Sequence, residues 1–120
     1  MTRKITIKDI IPGLDAKILC GGEFVDREIS GGFACDMLSW VMSRLQAGQA
    51  WFTVLNSVNV LAVAVLAECS CVIMTENVEM ESDVLSRAIE KKIVVLTTPL
   101  PTYEACVVLS KTLEMKNSTL

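Results

Sequence analysis

The sequence contains no histidine, the side chain that most often acts as a general base near neutral pH and most often binds metal ions. It also lacks the G-x-x-x-x-G-K-[ST] string of a P-loop, the G-x-G-x-x-G fingerprint of dinucleotide-binding domains and the G-x-S-x-G nucleophile elbow. We therefore predict that the protein is not an enzyme and uses no cofactor, and we assign no catalytic residue and no metal ligand.

Long apolar runs are missing too. The longest, residues 60–67, is far shorter than the ~18–20 residues of a membrane span, and the first residues lack the pattern of a signal peptide. The net charge is −3 and the only basic cluster is Arg3, Lys4 and Lys8, so nucleic acid is not an expected partner. The five cysteines are typical of a reducing compartment, where they behave as small apolar residues. We predict a soluble, cytoplasmic protein that binds no membrane.

What the chain does have is a large share of apolar residues in short segments. Its 120 residues fit one domain, since domains cluster near ~100–150 residues. Hydrophobic residues make up 52% of the chain, enough for a core and for an oligomer interface. We predict a single domain over residues 1–116 and a frayed tail over residues 117–120.

Turn-forming residues divide the chain into alternating helices and strands. Two expectations are specific: Pro12-Gly13 ends the first helix, and Asp36 caps the second, with Gly48 just past its end. The predicted helices cover residues 5–11, 37–45, 58–67, 82–91 and a last segment from residue 101; the predicted strands cover 16–20, 51–55, 71–74 and 93–96, with a weaker extended stretch over 27–34.

The strands are apolar without alternation, as in sheets covered on both faces. We therefore predict an α/β fold, a three-layer Rossmann-like domain with a mostly parallel sheet and helices on both faces. The helix over 58–67 is apolar on every side except at Asn59, so it is either sandwiched between layers or part of a subunit interface. In the helix over 82–91, Val84, Leu85, Ala88 and Ile89 are expected to face inward.

Three predicted strands are followed by small polar residues. In open parallel sheets, ligands bind beyond the carboxyl ends of the strands. Asn56 and Ser57 open the apolar helix over 58–67, whose free backbone N–H groups could receive an anion. The same residue types also form turns and helix caps, so both roles stay open. Asp26 and Arg27, near Gly31-Gly32, could supply a charged pair and a close approach of the backbone to the ligand, or Arg27 could form a surface ion pair worth little. The predicted ligand-binding residues are Asn56, Ser57, Asn59, Thr75, Asn77, Thr97, Thr98, Arg27, Gly31 and Gly32.

Two further patterns have simpler interpretations. Cys69 and Cys71 could form half of a thiolate metal site, but no C-x-x-C pair completes it, and buried strand cysteines are the favoured interpretation. The acidic residues of 79–83 precede a helix and stabilise its dipole. The alternatives to a binding domain are a small metal-dependent phosphate-handling enzyme, using Asp26, Asp36 or Glu76, and a structural subunit of a larger metabolic or redox complex.

A family resemblance adds to these arguments. Residues 30–42 (SGGFACDMLSWVM) resemble the segment after the double glycine in stand-alone DRTGG-domain proteins. Residues 51–54 (WFTV), 57–67 (SVNVLAVAVLA), 93–98 (IVVLTT) and 102–105 (TYEA) are similar to later parts of that family. The sequence departs from the family name in one place, because Glu28-Ile29-Ser30 separate Asp26-Arg27 from Gly31-Gly32.

The resemblance implies a Rossmann-like α/β domain that usually forms dimers and regulates other proteins. Similar domains accompany phosphotransacetylases, CBS-containing pyrophosphatases and the N-terminal part of HPr kinase. Some stand-alone members are called serine kinases, a label that does not fit a chain without a P-loop. We therefore predict a homodimeric regulatory or ligand-sensing domain, with a small anionic ligand such as a nucleotide or a phosphorylated metabolite.

Overall fold

The computed structural model describes residues 4–117, which form alternating helices and strands and one short 3-10 turn. Residues 118–120, most of the predicted frayed tail, lie outside the described residues. The helices are α1 (Ile7–Leu14), α2 (Leu38–Arg44), α3 (Val58–Ala67), α4 (Ser82–Glu90) and α5 (Thr102–Asn117), and the strands are β1 (Lys17–Cys20), β2 (Gly31–Ala34), β3 (Gln49–Thr53), β4 (Cys71–Met74) and β5 (Val95–Thr97).

The strands form one mixed sheet in the order β1-β5-β4-β3-β2. Strands β2 to β5 pair in parallel, and β1 runs antiparallel to β5 at one edge. The prediction of an α/β fold with a mostly parallel sheet is confirmed. From β2 to β5 each strand lies beside the previous one, so successive crossovers run in one direction across the sheet. The Rossmann-like detail stays a prediction.

Two apolar cores lie on opposite faces of the sheet. Neighbouring residues of β3 show the alternation: Trp51 packs into the core beneath α2, α3 and α4, and Phe52 packs into the core beneath α1 and α5. Both aromatic side chains are fully buried. The helices therefore cover both faces, and all four residues of the central strand β4 are buried, as expected for a sheet covered on both sides.

Helix α1 does not end at Pro12-Gly13, so that prediction is wrong. The helix continues to Leu14, which is fully buried, and Asp15 ends it in the left-handed region at φ 50°. The carbonyl that Pro12 leaves without a partner belongs to Lys8, an exposed residue where water can bind it. Burial of Leu14 therefore outweighs the proline's preference to stop the helix.

The start and end of α2 also differ from the prediction. Its N-cap is Met37 rather than Asp36, and its C-cap is Leu45. Gly48 does adopt a left-handed conformation, at φ 82°, but in the turn before β3. Asp36 makes a tertiary interaction instead, which an N-cap pattern in the sequence cannot reveal.

Helix α3 has the predicted bounds, but it is not sandwiched between layers. Its inner face is buried, and its outer face leaves Leu66 68% exposed and Val65 46% exposed. Helix α4 shows a smaller difference, since Ile89 is exposed rather than facing inward, while Ala88 is fully buried. In the part of the chain that is described, every helix is too short or too polar to cross a lipid bilayer.

Candidate functional site

The carboxyl ends of the four parallel strands meet at one edge of the sheet, which we call the carboxyl edge. Helices α3, α4 and α5 each follow one of these strands, so their amino ends lie at this edge. Backbone contacts join the loops there: the Asn77 N–H donates to the Thr98 carbonyl at 2.8 Å, and the Glu76 N–H donates to the Leu100 carbonyl at 3.0 Å. The polar residues that follow β3, β4 and β5 are therefore brought together, as the sequence predicts.

The three threonines of this set are buried and their hydroxyls are engaged inside the protein. Thr97 Oγ1 donates to the Val78 carbonyl at 2.7 Å. Thr98 Oγ1 donates to the Leu14 carbonyl at 2.5 Å, which ties α1 to the end of β5. Thr75 Oγ1 shares a hydrogen bond of 2.7 Å with the hydroxyl of Thr102, the first residue of α5. These hydroxyls fix the loops and helix starts that shape the edge.

Three of the predicted binding residues are exposed at this edge: Asn56, Ser57 and Asn77. Asn56 Nδ2 donates to the Glu79 carbonyl at 2.9 Å, linking the loops after β3 and β4. Ser57 is the N-cap of α3, and its side chain makes no capping hydrogen bond. Asn77 has φ 59°, a left-handed conformation that asparagine tolerates well. Ser57 and Asn77 are therefore both exposed, and Ser57 directly precedes the first N–H groups of α3.

Asp36 is a member of this edge that the sequence did not place among the binding residues. Its carboxylate accepts a hydrogen bond from Thr53 Oγ1 at 2.7 Å and one from the Val54 N–H at 2.9 Å. It thereby ties the end of β2 to the end of β3. An acidic residue two positions after a predicted strand was the available signal, but the same pattern is typical of an N-cap.

Asn59, Gly31, Gly32 and Arg27 do not join the other predicted residues. Asn59 lies on the outer side of α3, in a groove that it shares with α2. Gly31 and Gly32 open β2 and pair with Gln49 and Ala50, at the start of the parallel strands. The expectation that the double glycine lets backbone approach a ligand at the carboxyl edge therefore does not match this placement.

The glycine that permits a close approach is Gly32, and the approaching element is α5. A Cβ atom at Gly32 would lie 2.7 Å from Leu109 Cδ2 and 3.4 Å from Phe52 Cε2. A Cβ atom at Gly31 would come no nearer than 4.0 Å to the Gln49 side chain. Glycine at position 32 thus leaves room for the Leu109 side chain of α5.

Arg27 lies at the opposite end of the sheet, which we call the amino edge. Its Nη2 donates to the Lys92 carbonyl at 2.7 Å, and its guanidinium lies 4.5 Å from the centre of the Phe24 ring. Lys92 stands three residues before β5, so Arg27 connects the segment before β2 to the turn between α4 and β5. Asp26, its neighbour, lies 3.8 Å from the Lys8 ammonium in an exposed ion pair.

The amino edge also carries a cleft of about 440 Å³ that no local pattern in the sequence predicts. It lies between the end of α3 and the turn before β5, so its walls come from segments far apart in the chain. The residues that line it are Arg27, Glu28, Gly48, Ala64, Val65, Glu68, Cys69, Ser70, Lys91, Lys92 and Ile93.

Cys71, the first residue of β4, and Cys69, two residues before it, are protonated thiols at neutral pH. Burial raises the pKa of Cys69 to about 12, and the positive charge of Arg27 opposes that rise. Burial also raises the pKa of the fully buried Cys71 well above its ordinary range. Within residues 4–117, no group of three or more cysteine, aspartate or glutamate side chains is arranged to hold a metal ion.

Comparison with known proteins agrees with the fold. The family model described as the DRTGG domain matches residues 9–112. No curated protein sequence matches the chain. A structural match is the regulatory region of Clostridium perfringens pyrophosphatase, with its CBS and DRTGG domains, complexed with the activator diadenosine tetraphosphate.

That match has a TM-score of 0.74 at 14% sequence identity, so it shows a shared fold. It covers 94% of this chain, and this chain spans 50% of the pyrophosphatase region. The family model covers most of the chain and includes every parallel strand of the sheet. The chain belongs to the DRTGG domain family.

Proposed function

We propose that the protein is a regulatory, ligand-sensing domain that acts as a homodimer in the cytoplasm and carries out no chemistry of its own. Membership of the DRTGG family and the regulatory role of the pyrophosphatase region with the same fold support this proposal. All five cysteines are free thiols, which fits a reducing compartment.

The ligand that we propose is a nucleotide or a phosphorylated metabolite at the carboxyl edge. The observation that carries this is the convergence of the amino ends of α3, α4 and α5 on a rim where Ser57 and Asn77 are exposed. Free N–H groups at helix starts bind phosphate oxygens, and the helix dipoles favour negative charge there. The engaged hydroxyls of Thr75, Thr97 and Thr98 support the rim from beneath.

Thermal unfolding in the presence of nucleotides and acyl phosphates tests this ligand. A bound ligand stabilises the folded state by about 2.7 kcal/mol at a hundredfold excess over Kd, which raises Tm by several degrees. The panel is run with and without magnesium, because the exposed carboxylates of Asp36 and Glu76 would repel a bare polyphosphate. Ser57→Ala combined with Asn77→Gly should abolish the rise in Tm. No rise with any compound would contradict the proposed ligand.

The dimer interface that we propose is the outer surface of α2 and α3, and its occupant is the same surface of a second copy. A groove of about 300 Å³ runs between the two helices, lined by Leu38, Met42, Asn59, Ala62, Val63 and Leu66. Met42 is 55% exposed and Leu66 is 68% exposed. Contiguous apolar surface of this kind marks interaction sites, and aromatic residues and methionine are enriched at interfaces.

We expect Leu66→Lys to convert the dimer into a monomer, because the ammonium group would be buried without a partner in the interface. Sedimentation equilibrium at micromolar concentration measures this change. Tyr103→Lys is the matched control, since Tyr103 is 76% exposed on α5, on the other face of the sheet, and should leave the dimer intact. A wild-type monomer would contradict the proposed interface.

A further inference from the structure

The cleft at the amino edge differs from the carboxyl edge in charge. The cleft is concave, and three of its lining residues are cationic, whereas the exposed charged side chains Asp36 and Glu76 of the carboxyl edge are acidic. We propose that this cleft is a second binding site, which takes the phosphate group of a small phosphorylated molecule. The proposal does not depend on a ligand at the carboxyl edge, because the two sites lie at opposite ends of the strands and share no residue.

The cleft carries an excess of positive charge. Arg27, Lys91 and Lys92 line the cleft together with the carboxylates of Glu28 and Glu68. Glu28 is already paired with Lys4, whose Nζ lies 3.1 Å from its carboxylate. Among the ion pairs of the described residues, none involves Lys91 or Lys92. The cleft therefore presents more positive than negative charge without a partner, and phosphate is a group that lysine and arginine bind well.

Arg27 is held in a fixed position beside the cleft. The Arg27 side chain is held by its hydrogen bond to the Lys92 carbonyl and by its contact with the Phe24 ring. Its charge acts on the Cys69 thiol, which also lines the cleft. A guanidinium fixed in this way loses little conformational entropy when it binds an anion, and its remaining N–H groups stay available as donors.

Ser70 is a further polar residue of the cleft. Ser70 is 5% exposed, lines the cleft, and its Oγ is a buried polar atom for which the described residues offer no hydrogen-bond partner. Buried polar groups without partners are rare and disfavoured, because they lose their bonds to water. Because Ser70 lines the cleft, rotation of its side chain would let a ligand oxygen at the floor of the cleft bond to this hydroxyl.

The volume and the apolar side of the cleft suit a small molecule. A volume of about 440 Å³ is within the range of small-molecule sites, and Ala64, Val65 and Ile93 supply an apolar side.

Helices α3 and α4 end at this edge, and their terminal carbonyls disfavour a bare anion in the cleft. The lysine and arginine side chains offset that effect, and Glu68 can accept a hydrogen bond from a hydroxyl group of the ligand.

The test is a ¹H–¹⁵N correlation titration of the full chain with inorganic phosphate, against sodium chloride at the same ionic strength. We expect saturable shifts at the amides of residues 68–70 and 91–93. A second arm uses AMP. Tighter binding of AMP would identify a phosphate ester as the ligand, and equal binding would identify free phosphate, and either result supports the site.

Three substitutions locate the binding groups. Lys92→Gln should raise Kd about tenfold, because it removes a charge-assisted contact, and Lys111→Gln, on α5, is the charge-matched control that should leave Kd unchanged. Ser70→Ala should also raise Kd but should leave Tm unchanged or higher, since it removes a hydroxyl without a partner. Circular dichroism confirms that each variant is folded.

Three outcomes would overturn the second site. The first is that neither phosphate nor AMP causes a saturable shift. The second is that Lys111→Gln loses as much affinity as Lys92→Gln, and the third is that neither Ser70→Ala nor Lys92→Gln loses affinity. Shifts confined to residues 56–57 and 75–77 would overturn it as well, while supporting the ligand proposed for the carboxyl edge. The failure of one site is therefore distinguishable from the failure of the other.

Discussion

At the residue scale, the two edges of the sheet use their polar side chains differently. At the carboxyl edge, Thr97 and Asp36 form hydrogen bonds within the protein, and these bonds connect loops that follow different strands. At the amino edge, Ser70 has a buried hydroxyl without a partner among the described residues. The first arrangement contributes to stability, and the second leaves hydrogen-bonding capacity for a ligand.

Asp36→Ala is expected to lower the free energy of unfolding by about 1–2 kcal/mol, because two hydrogen bonds to an ionised acceptor are lost at an exposed position. Asp36→Asn keeps one acceptor oxygen and should cost less. Urea denaturation at pH 7 measures both variants. Equal stability of Asp36→Ala and the wild type would show that the contact between the ends of β2 and β3 contributes nothing.

Stability is expected to fall as the pH rises above the ordinary thiol pKa of 9.0. In the unfolded chain Cys69 ionises near that value, whereas in the folded protein its pKa is about 12, so the unfolded state releases the proton first. The buried thiol of Cys71 adds to the effect in the same direction.

Urea denaturation at pH 8, 9.5 and 10.5 measures this alkaline loss, with the double variant Cys69→Ala and Cys71→Ala as the comparison. Lysine and tyrosine also titrate in this range. The informative quantity is therefore the difference between the wild type and the variant in the slope of unfolding free energy against pH. The variant should lose less stability between pH 8 and 10.5. Parallel slopes would mean that these thiols are not shielded from water.

At the element scale, packing rather than local sequence decides the boundaries that were predicted wrongly. Helix α1 passes through Pro12 because Leu14 belongs to the core, and α2 begins at Leu38 because Asp36 bonds to Thr53. The bounds of α3 could be predicted because its apolar residues are continuous and Ser57 precedes them. The exposure of the outer face of α3 could not be predicted, because the sequence of an evenly apolar helix does not show which side of the helix contacts the sheet.

Gly32→Ala is expected to destabilise the protein by about 1 kcal/mol, because its Cβ would displace the buried side chain of Leu109. Gly31→Ala is the matched control in the same strand and should be nearly neutral. Thermal unfolding measures both, and Gly32→Ala combined with Leu109→Ala should cost less than the sum of the single changes. Equal Tm values for the two glycine variants would contradict the packing role.

At the scale of the whole molecule, the fold class could be predicted from the sequence. The division of the predicted binding residues between the carboxyl edge and the amino edge of the sheet could not. Unbroken apolar strands alternating with helices predict a parallel sheet, and polar residues after β3, β4 and β5 predict that these loops meet. The position of Arg27 depends on where the segment before β2 crosses the sheet, which no local pattern encodes. The amino-edge cleft was missed for the same reason, because its walls come from distant segments.

The central claim is that this molecule works as a dimer that holds a small anionic ligand. Native mass spectrometry of freshly purified protein tests both parts together. We expect a species of twice the 13.1 kDa chain mass, carrying an added mass that corresponds to a phosphorylated small molecule. A single species at 13.1 kDa without any added mass, at micromolar concentration, would contradict the account.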